Sequence, residues 1–443
     1  MTKYTVTGGV PLRGTVKLHG AKNVGFKVMI AALLGDSPST ICDLGLISEI
    51  DFTKQVIAQL GGQVSEEGGP HCLIIDPQNL NLAAVEKDLS AKSRFSIMYV
   101  GPLLARFGQV DLPSPGGDTS IGRRPIDRHL DGLKALGVTV EFSDGVYHFA
   151  AKNGLSGGTY RFPKSTHNGT EVLVVAAARA HGTVILENAA QEPEVDDLIT
   201  FLNAMGAKIT RVEPRTIEII GQKILHGAKH TVMRDRNEAV TYACAALATN
   251  GDIFVEGADE KVLTAFLEKV TAVGGGVEKK TNGLRFYRQT SLVATDVVTA
   301  PAPGFMTDWQ PLWSTLMTQA QGESLVHETI YERRFDFVAG LASMGAKIEF
   351  FHPEVKNPEE FYSFNLEDDD PANYHAIKIH GSTPLSGTTL EINDVRSGAT
   401  ALLAGTIASG VTTILDPKDQ IKRGYEDLAG GLASLGAKIT IDS

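Results

Sequence analysis

Hydrophobic and polar positions along this chain alternate in a pattern that recurs. A stretch with apolar residues at helical spacing, such as Asp197-Leu198-Ile199-Thr200-Phe201-Leu202-Asn203, runs into a small or polar residue, an apolar residue and a glycine. Two free positions follow, then Val or Ile opening a β-branched stretch. The pattern appears six times, centred on Gly61, Gly137, Gly206, Gly274, Gly345 and Gly436. Each copy predicts an amphipathic helix closed by a left-handed glycine cap and continued as a strand. Most copies are preceded by a second helical stretch of small residues, such as Ala176-Ala177-Ala178-Arg179-Ala180 or Gly398-Ala399-Thr400-Ala401-Leu402-Leu403-Ala404. Those stretches lack a broad charged face, which predicts helices buried on most sides.

The repeating unit reads strand, helix, strand, helix, strand. At about 70 residues it is longer than common solenoid repeats. Six α+β units of this kind predict an α/β protein of two domains with three units each, strands toward water and small-residue helices inside. The last interval between glycines is the longest and marks an insertion, Phe351 to Tyr374. It holds Pro353, Pro358 and Pro371 and the acidic run Glu367-Asp368-Asp369-Asp370, and reads as a solvated surface loop.

Composition narrows the function classes. With 42% hydrophobic and 21% charged residues, the 443-residue chain has the profile of a soluble globular protein. No apolar run approaches the roughly 20 residues that span a bilayer, so no membrane association is expected. The polar N-terminus, Met1 to Thr7, carries no apolar signal core. The formal charge of −11 argues against nucleic acid as the main partner. It leaves room for anionic small substrates, which need only local arginines and helix N-termini. Cys42, Cys72 and Cys244 are sparse and odd in number, which suits unpaired thiols in a reducing cytoplasm.

Candidate chemistry gathers where elements begin. Gly20-Ala21-Lys22-Asn23 precedes an apolar helix and is suited to an anion. Arg94 opens a second apolar helix. A loop from Leu112 to about Pro125, rich in Pro and Gly, carries Asp118, Arg123 and Arg124 and is suited to open and close over a site. Asp308 stands where a Pro-rich loop enters a helix, the position of a helix cap. Arg333 and Arg334 lie at a strand-to-helix junction, and Arg396 and Arg423 at comparable points of the last unit. Arginines of this kind grip phosphate and carboxylate bidentately. Rossmann and P-loop glycine signatures, zinc spacings and serine nucleophile elbows are absent from the sequence.

Taken in order, these residues resemble the UDP-N-acetylglucosamine enolpyruvyl transferases, and the similarity runs nearly end to end. It rests on Gly20-Ala21-Lys22-Asn23, Gly101 to Gly108, Arg124-Pro125-Ile126-Asp127 and Glu187-Asn188-Ala189-Ala190 with Glu192-Pro193-Glu194. It continues through Asp235-Arg236, Thr307-Asp308, Glu328 to Phe335 and Arg423-Gly424-Tyr425-Glu426. The resemblance implies two inside-out α/β barrels of three βαβαββ-like units each, one spanning 22–233 with the lid at about 112–125. The other would comprise 1–21 plus 234–443, with the active site in the cleft between the two.

The resemblance also implies roles. Lys22, Arg94, Arg124, Arg334, Arg396 and Arg423 would gather phosphoenolpyruvate. Asn23 and Asp308 would hold the sugar hydroxyl of UDP-N-acetylglucosamine, with Asp308 the general base, and Arg94 and Ile330 would also bind that substrate. Arg124, Pro125, Ile126, Asp127, His129, Leu130, Lys164, Thr166, His167 and Asn168 match segments that hold its uridine and diphosphate. Asp118, Asp308, Lys22 and Arg423 would be catalytic, with no metal and no organic cofactor required. One position departs from the commonest family pattern: Asp118 stands in the lid where a Cys is usual. The lid is also one residue longer between Asp118 and Arg124, and in that respect Gly117-Asp118-Thr119-Ser120-Ile121 followed by Arg124-Pro125 looks like the sister 3-phosphoshikimate enzymes, which nevertheless begin with Lys-Ser where this chain has Lys22-Asn23. A non-catalytic nucleotide-sugar-binding paralogue is the alternative from another class.

Overall fold

The computed structural model describes residues 1–116, 121–392 and 394–442. By internal contacts the chain divides into two units. The terminal unit holds 1–19, the described residues 121–124 and 234–442; the central unit holds the chain from Gly20 to the start of the lid and Pro125–Met233. Each has its own hydrophobic core, one running from Ala21 to Val232, the other built from Tyr4–Leu18 and residues beyond Ala239.

The repeat read from the sequence is the repeat of the fold. Ser156–Arg161, His167–Ala177, His181–Glu187, Pro193–Ala204, Lys208–Glu213 and Thr216–Ile220 form one βαβαββ unit. Its sheet has one parallel and two antiparallel pairings. The six motif glycines, Gly61, Gly137, Gly206, Gly274, Gly345 and Gly436, all take φ between +85° and +104°. Only glycine adopts that backbone without strain, so each ends its helix and turns the chain back into a strand.

Burial follows the small-residue pattern. Every residue of the helix Arg236–Ala248 is buried, and Val395–Ile407 is buried over most of its length. Strands such as Asp252–Glu256 alternate between buried and half-buried positions, one face on the core. Six sheets are present among the described residues, three in each unit. In the last of them the N-terminal strand Thr2–Thr7 lies between Val411–Asp416 and Lys438–Asp442, antiparallel to both. The chain's beginning therefore supplies the strand that its final repeat lacks.

One expectation needs correction and another refinement. Cys42 and Cys72 form a disulfide. The strands Ser39–Cys42 and Leu73–Asp76 pair antiparallel with Ile41 opposite Leu73, which brings the two cysteines face to face. Only Cys244 is a free thiol, and it is buried. The insertion, read as a solvated loop, is largely exposed, and it is also anchored at a few points. Tyr362 and Phe364 are buried, Ser363 N donates to Thr329 O at 2.7 Å, and His375 Nε2 lies 2.8 Å from Asp369 Oδ2. Asp368 reaches Arg123 Nη1 at 2.9 Å. Buried Tyr362 and Phe364 hold the segment at its middle while most of its charged residues face solvent. Among the described residues no helix is long and apolar enough to cross a membrane.

Candidate active site

In the terminal unit, the strand Gly322–His327 ends at Glu328, and the chain from there to the helix Phe337–Ser343 is pinned by that carboxylate. Glu328 accepts from Ile330 N (2.8 Å), Tyr331 N (3.3 Å) and Thr307 Oγ1 (2.9 Å). Burial raises the Glu328 pKa above the ordinary carboxyl range, against the pull of Arg334. The turn so formed delivers Arg334, whose Nη2 donates to Asp308 Oδ1 at 2.8 Å.

Arg396 reaches the same carboxylate. Its helix, Val395–Ile407, is capped by Asp394, which accepts from Arg396 N and Ser397 N. Arg396 Nη2 donates to Asp308 Oδ2 at 2.8 Å, and Nη1 to Tyr425 Oη at 2.9 Å; Tyr425 Oη is 3.0 Å from Thr241 Oγ1. Asp308 does not cap the helix Gln310–Met317, where Trp309 holds the cap position without a side-chain bond. Both of its oxygens accept from guanidinium groups, so Asp308 is an ion-pair partner here and not a helix cap. Arg423 belongs to the short helix Gln420–Gly424, whose first N–H groups are bound by Asp416. A Cβ on Gly424 would fall 2.0 Å from Val395 Cγ1. That close approach brings Arg423 and Tyr425 beside the Arg396 helix. Arg124, with its backbone in the left-handed region at φ +52°, places its guanidinium 5.9 Å from the Tyr331 ring; Arg334 lies 5.4 Å from the same ring. A non-glycine residue held there marks a turn under constraint.

In the central unit, Lys22 and Asn23 are the half-buried first residues of the helix Lys22–Ala31, whose remainder from Val24 is buried. Arg94 opens the turn Arg94–Tyr99 behind a Ser93 cap, and its Nη1 donates to Pro115 O at 3.2 Å. Ile126 precedes the helix Asp127–Ala135, which carries His129 and Leu130. Lys164 is half-buried, and Thr166 caps the helix His167–Ala177 by accepting from Gly169 N. His129 Nε2 meets Asn168 Oδ1 at 2.8 Å. Burial lowers the His129 pKa to about 4, so the ring is neutral near pH 7. His129 Nδ1 and Asn168 Nδ2 are buried without a protein hydrogen-bond partner. Buried polar atoms left open in this way are suited to a ligand.

The structure thus joins Asp308, Arg334 and Arg396 directly, sets Arg124 beside Tyr331, and joins His129 to Asn168. Asp118 lies outside the described residues. Sequence reasoning missed Tyr331, Tyr425, Lys27 and Glu171. Tyr425 stood in a quoted motif without a role, and Lys27 was legible as a charge inside an apolar run.

Fold and site together define a class, and comparison with known proteins agrees with it. Residues 6–432 match the family model for EPSP synthase (3-phosphoshikimate 1-carboxyvinyltransferase), and the chain belongs to that family of enolpyruvyl transferases. Over nearly its whole length it is similar to proteins named UDP-N-acetylglucosamine 1-carboxyvinyltransferase. It is 38% identical to the one numbered 3 in Caldanaerobacter subterraneus subsp. tengcongensis, covering 99% of each chain. It is 36% identical to that of Protochlamydia amoebophila, covering 100% of this chain and 94% of the relative. Within the family it belongs with these proteins. Among solved structures, the enolpyruvyl transferase NikO from Streptomyces tendae matches 99% of this chain and 98% of its own with a TM-score of 0.85 at 22% identity. EPSP synthase from Acinetobacter baumannii matches with a TM-score of 0.72 at 17% identity, each chain covered in full.

Proposed function

We propose that this enzyme transfers the enolpyruvyl group of phosphoenolpyruvate to the 3′-hydroxyl of UDP-N-acetylglucosamine with release of phosphate, the first committed step of peptidoglycan synthesis. The observation that carries the reading is the Asp308 carboxylate held by Arg334 and Arg396, both at 2.8 Å. The reaction needs a proton delivered to the enol carbon, attack by the sugar oxygen on the resulting cationic carbon with loss of the hydroxyl proton, and then departure of phosphate together with a proton from the new methyl group, which restores the double bond. Arriving phosphate and carboxylate groups take over the guanidinium N–H groups that Asp308 now occupies. The freed carboxylate then accepts the proton of the attacking hydroxyl, with Asn23 and Ile330 beside the sugar. Lys22, Arg94, Arg124 and Arg423 complete the set of cations that stabilise developing charge on the phosphate. Asp118 supplies the proton to the enol carbon.

For the nucleotide sugar, the open Nδ1 of His129 and Nδ2 of Asn168 offer hydrogen bonds. In this reading Arg124, Pro125, Ile126, Asp127, Leu130, Lys164, Thr166 and His167 also bind the nucleotide sugar. Both substrates are anions that do not cross a bilayer unaided, so the reading places the enzyme in the cytoplasm. The test is phosphate release from phosphoenolpyruvate with UDP-N-acetylglucosamine and, side by side, with shikimate 3-phosphate. Release with the nucleotide sugar alone is expected. Release with shikimate 3-phosphate alone would assign the sister reaction, and release with neither would leave a binding paralogue.

A further inference from the structure

Lys27 lies inside an apolar helix, between Phe26 and Val28, with its side chain only 2% exposed. Its Nζ is 2.5 Å from Glu171 Oε2, and Glu171 is fully buried on the helix His167–Ala177. The rings of Phe26 and Phe95 wall the ammonium at 5.8 and 5.6 Å. Taking two charges out of water costs several kcal/mol per ion, and apolar side chains of similar volume would often fill such a space as stably. Stability alone therefore does not account for the pair. Its other consequence is geometric. The second carboxylate oxygen, Glu171 Oε1, lies 3.1 Å from His167 Nε2, one turn back on the same helix. Lys27 fixes one oxygen of the carboxylate; the other faces the imidazole at ion-pair distance, without the alignment of a hydrogen bond.

We propose that the buried Lys27–Glu171 pair is a positioning device that holds His167 as an imidazolium for the diphosphate of the nucleotide sugar. The inference rests on the reading above that UDP-N-acetylglucosamine binds beside His167. The pair also ties the helix that begins at Lys22 and Asn23 to the helix that begins at His167 and Asn168, so two candidate substrate-binding ends are braced together. The charged groups acting on His167 are Glu171 from its own helix, Lys27 from Lys22–Ala31, and Glu192 from the turn before Pro193–Ala204. Burial favours the neutral ring and Lys27 adds to that, yet the carboxylates prevail and the pKa stands above the ordinary imidazole value. The cationic form is therefore present below that raised pKa and is lost as pH rises through it, and with it the grip on an anion.

Three variants of the full chain test this: Glu171→Gln, His167→Gln, and the double substitution K27M/E171L, which exchanges the pair for apolar volume and guards against a variant that fails to fold. The readouts are the imidazole NMR titration of His167, and kcat and KM for UDP-N-acetylglucosamine across pH. E171Q and K27M/E171L are expected to lower the His167 pKa and to raise KM at neutral pH about tenfold, the scale of one charge-assisted contact. Their kcat at saturation should change less than about twofold, because the contact is uniform binding. H167Q should raise KM similarly and add nothing to E171Q. An unchanged His167 titration, or an unchanged KM in variants that titrate as expected, would overturn the proposal. Absence of phosphate release by the unmodified enzyme would instead overturn the assigned reaction, and the titration would still judge the pair.

Discussion

The two units hold their candidate charges differently. In the terminal unit, Asp308 is 21% exposed and its two oxygens are shared between Arg334 and Arg396. In the central unit, the carboxylate of Glu171 is wholly buried against Lys27, and the polar pair next along, His129 with Asn168, is uncharged on the histidine side. A carboxylate with access to solvent exchanges partners at small cost, because water or an arriving anion replaces what it gives up. A buried ion pair has no such substitute and stays as built. One unit is thus suited to chemistry in which charges change hands, and the other to holding a substrate in a fixed orientation. Both arrangements use the same βαβαββ repeat, with functional groups at the first turns of inner helices or at the junctions leading into them.

The largest effect expected from breaking this contrast is at Asp308. Asp308→Asn keeps the shape and removes the base, so kcat should fall by roughly 100-fold or more. Binding of UDP-N-acetylglucosamine, followed by calorimetry, should suffer far less. Near-normal turnover would reduce Asp308 to an anchor for the two arginines.

A second test addresses the neutral histidine. His129 has a folded pKa of about 4 against an ordinary value near 6.5, so the unfolded chain binds the extra proton first as pH falls. Its contribution to stability is full above pH ~6.5 and is lost progressively toward pH ~4, by at most about 3 kcal/mol. Urea unfolding at a series of pH values should show that slope, and His129→Gln should flatten it. An identical slope in the variant would remove His129 as its source.

Tyr425 sharpens the terminal half of the comparison. Tyr425→Phe removes the acceptor of Arg396 Nη1 and leaves a buried guanidinium N–H unmatched, at a cost of about 1–3 kcal/mol. The KM for phosphoenolpyruvate should rise severalfold to about tenfold, with the His167 titration untouched. An altered titration would show the two half-sites to be less independent than their separate cores suggest.

The smallest effect is expected at the lid's exit. Arg123 is largely exposed, so its ion pair with Asp368 is screened by solvent. Asp368→Asn should change turnover by less than about twofold. A larger loss would make the acidic insertion part of the working site.

Much of the site was legible as residue type and order, less of it as partnership. The cations at Lys22, Arg334, Arg396 and Arg423 stood out because each falls at the end of an element. Asp308 was ambiguous from sequence, since a carboxylate before a helix is first a capping candidate; the structure pairs it instead with Arg334 from later in its own repeat and with Arg396 from the final repeat. Lys27 carried a signal, a lysine within Val24-Gly25-Phe26-Lys27-Val28-Met29, but its counter-charge lies 144 positions away. The cysteines misled for the same reason. Their pairing depends on strand register, which a count of thiols does not contain.

What the sequence determined by itself was everything set within one turn or one strand. The six glycines dictate six left-handed caps because a Cβ is strained at those φ values, and the small-residue runs dictate which helices are buried. Tertiary structure decided what meets across long separations. The N-terminal strand completes the last repeat because that sheet has an open antiparallel slot between Val411–Asp416 and Lys438–Asp442, and backbone hydrogen bonding fills it without regard to chain order. Arg334 and Arg396 converge on Asp308, and Lys27 on Glu171, for the same kind of reason. The guanidinium groups of Arg334 and Arg396, each 6% exposed, and the ammonium of Lys27 have little water to turn to, so packing selects the arrangement in which a carboxylate is already in place.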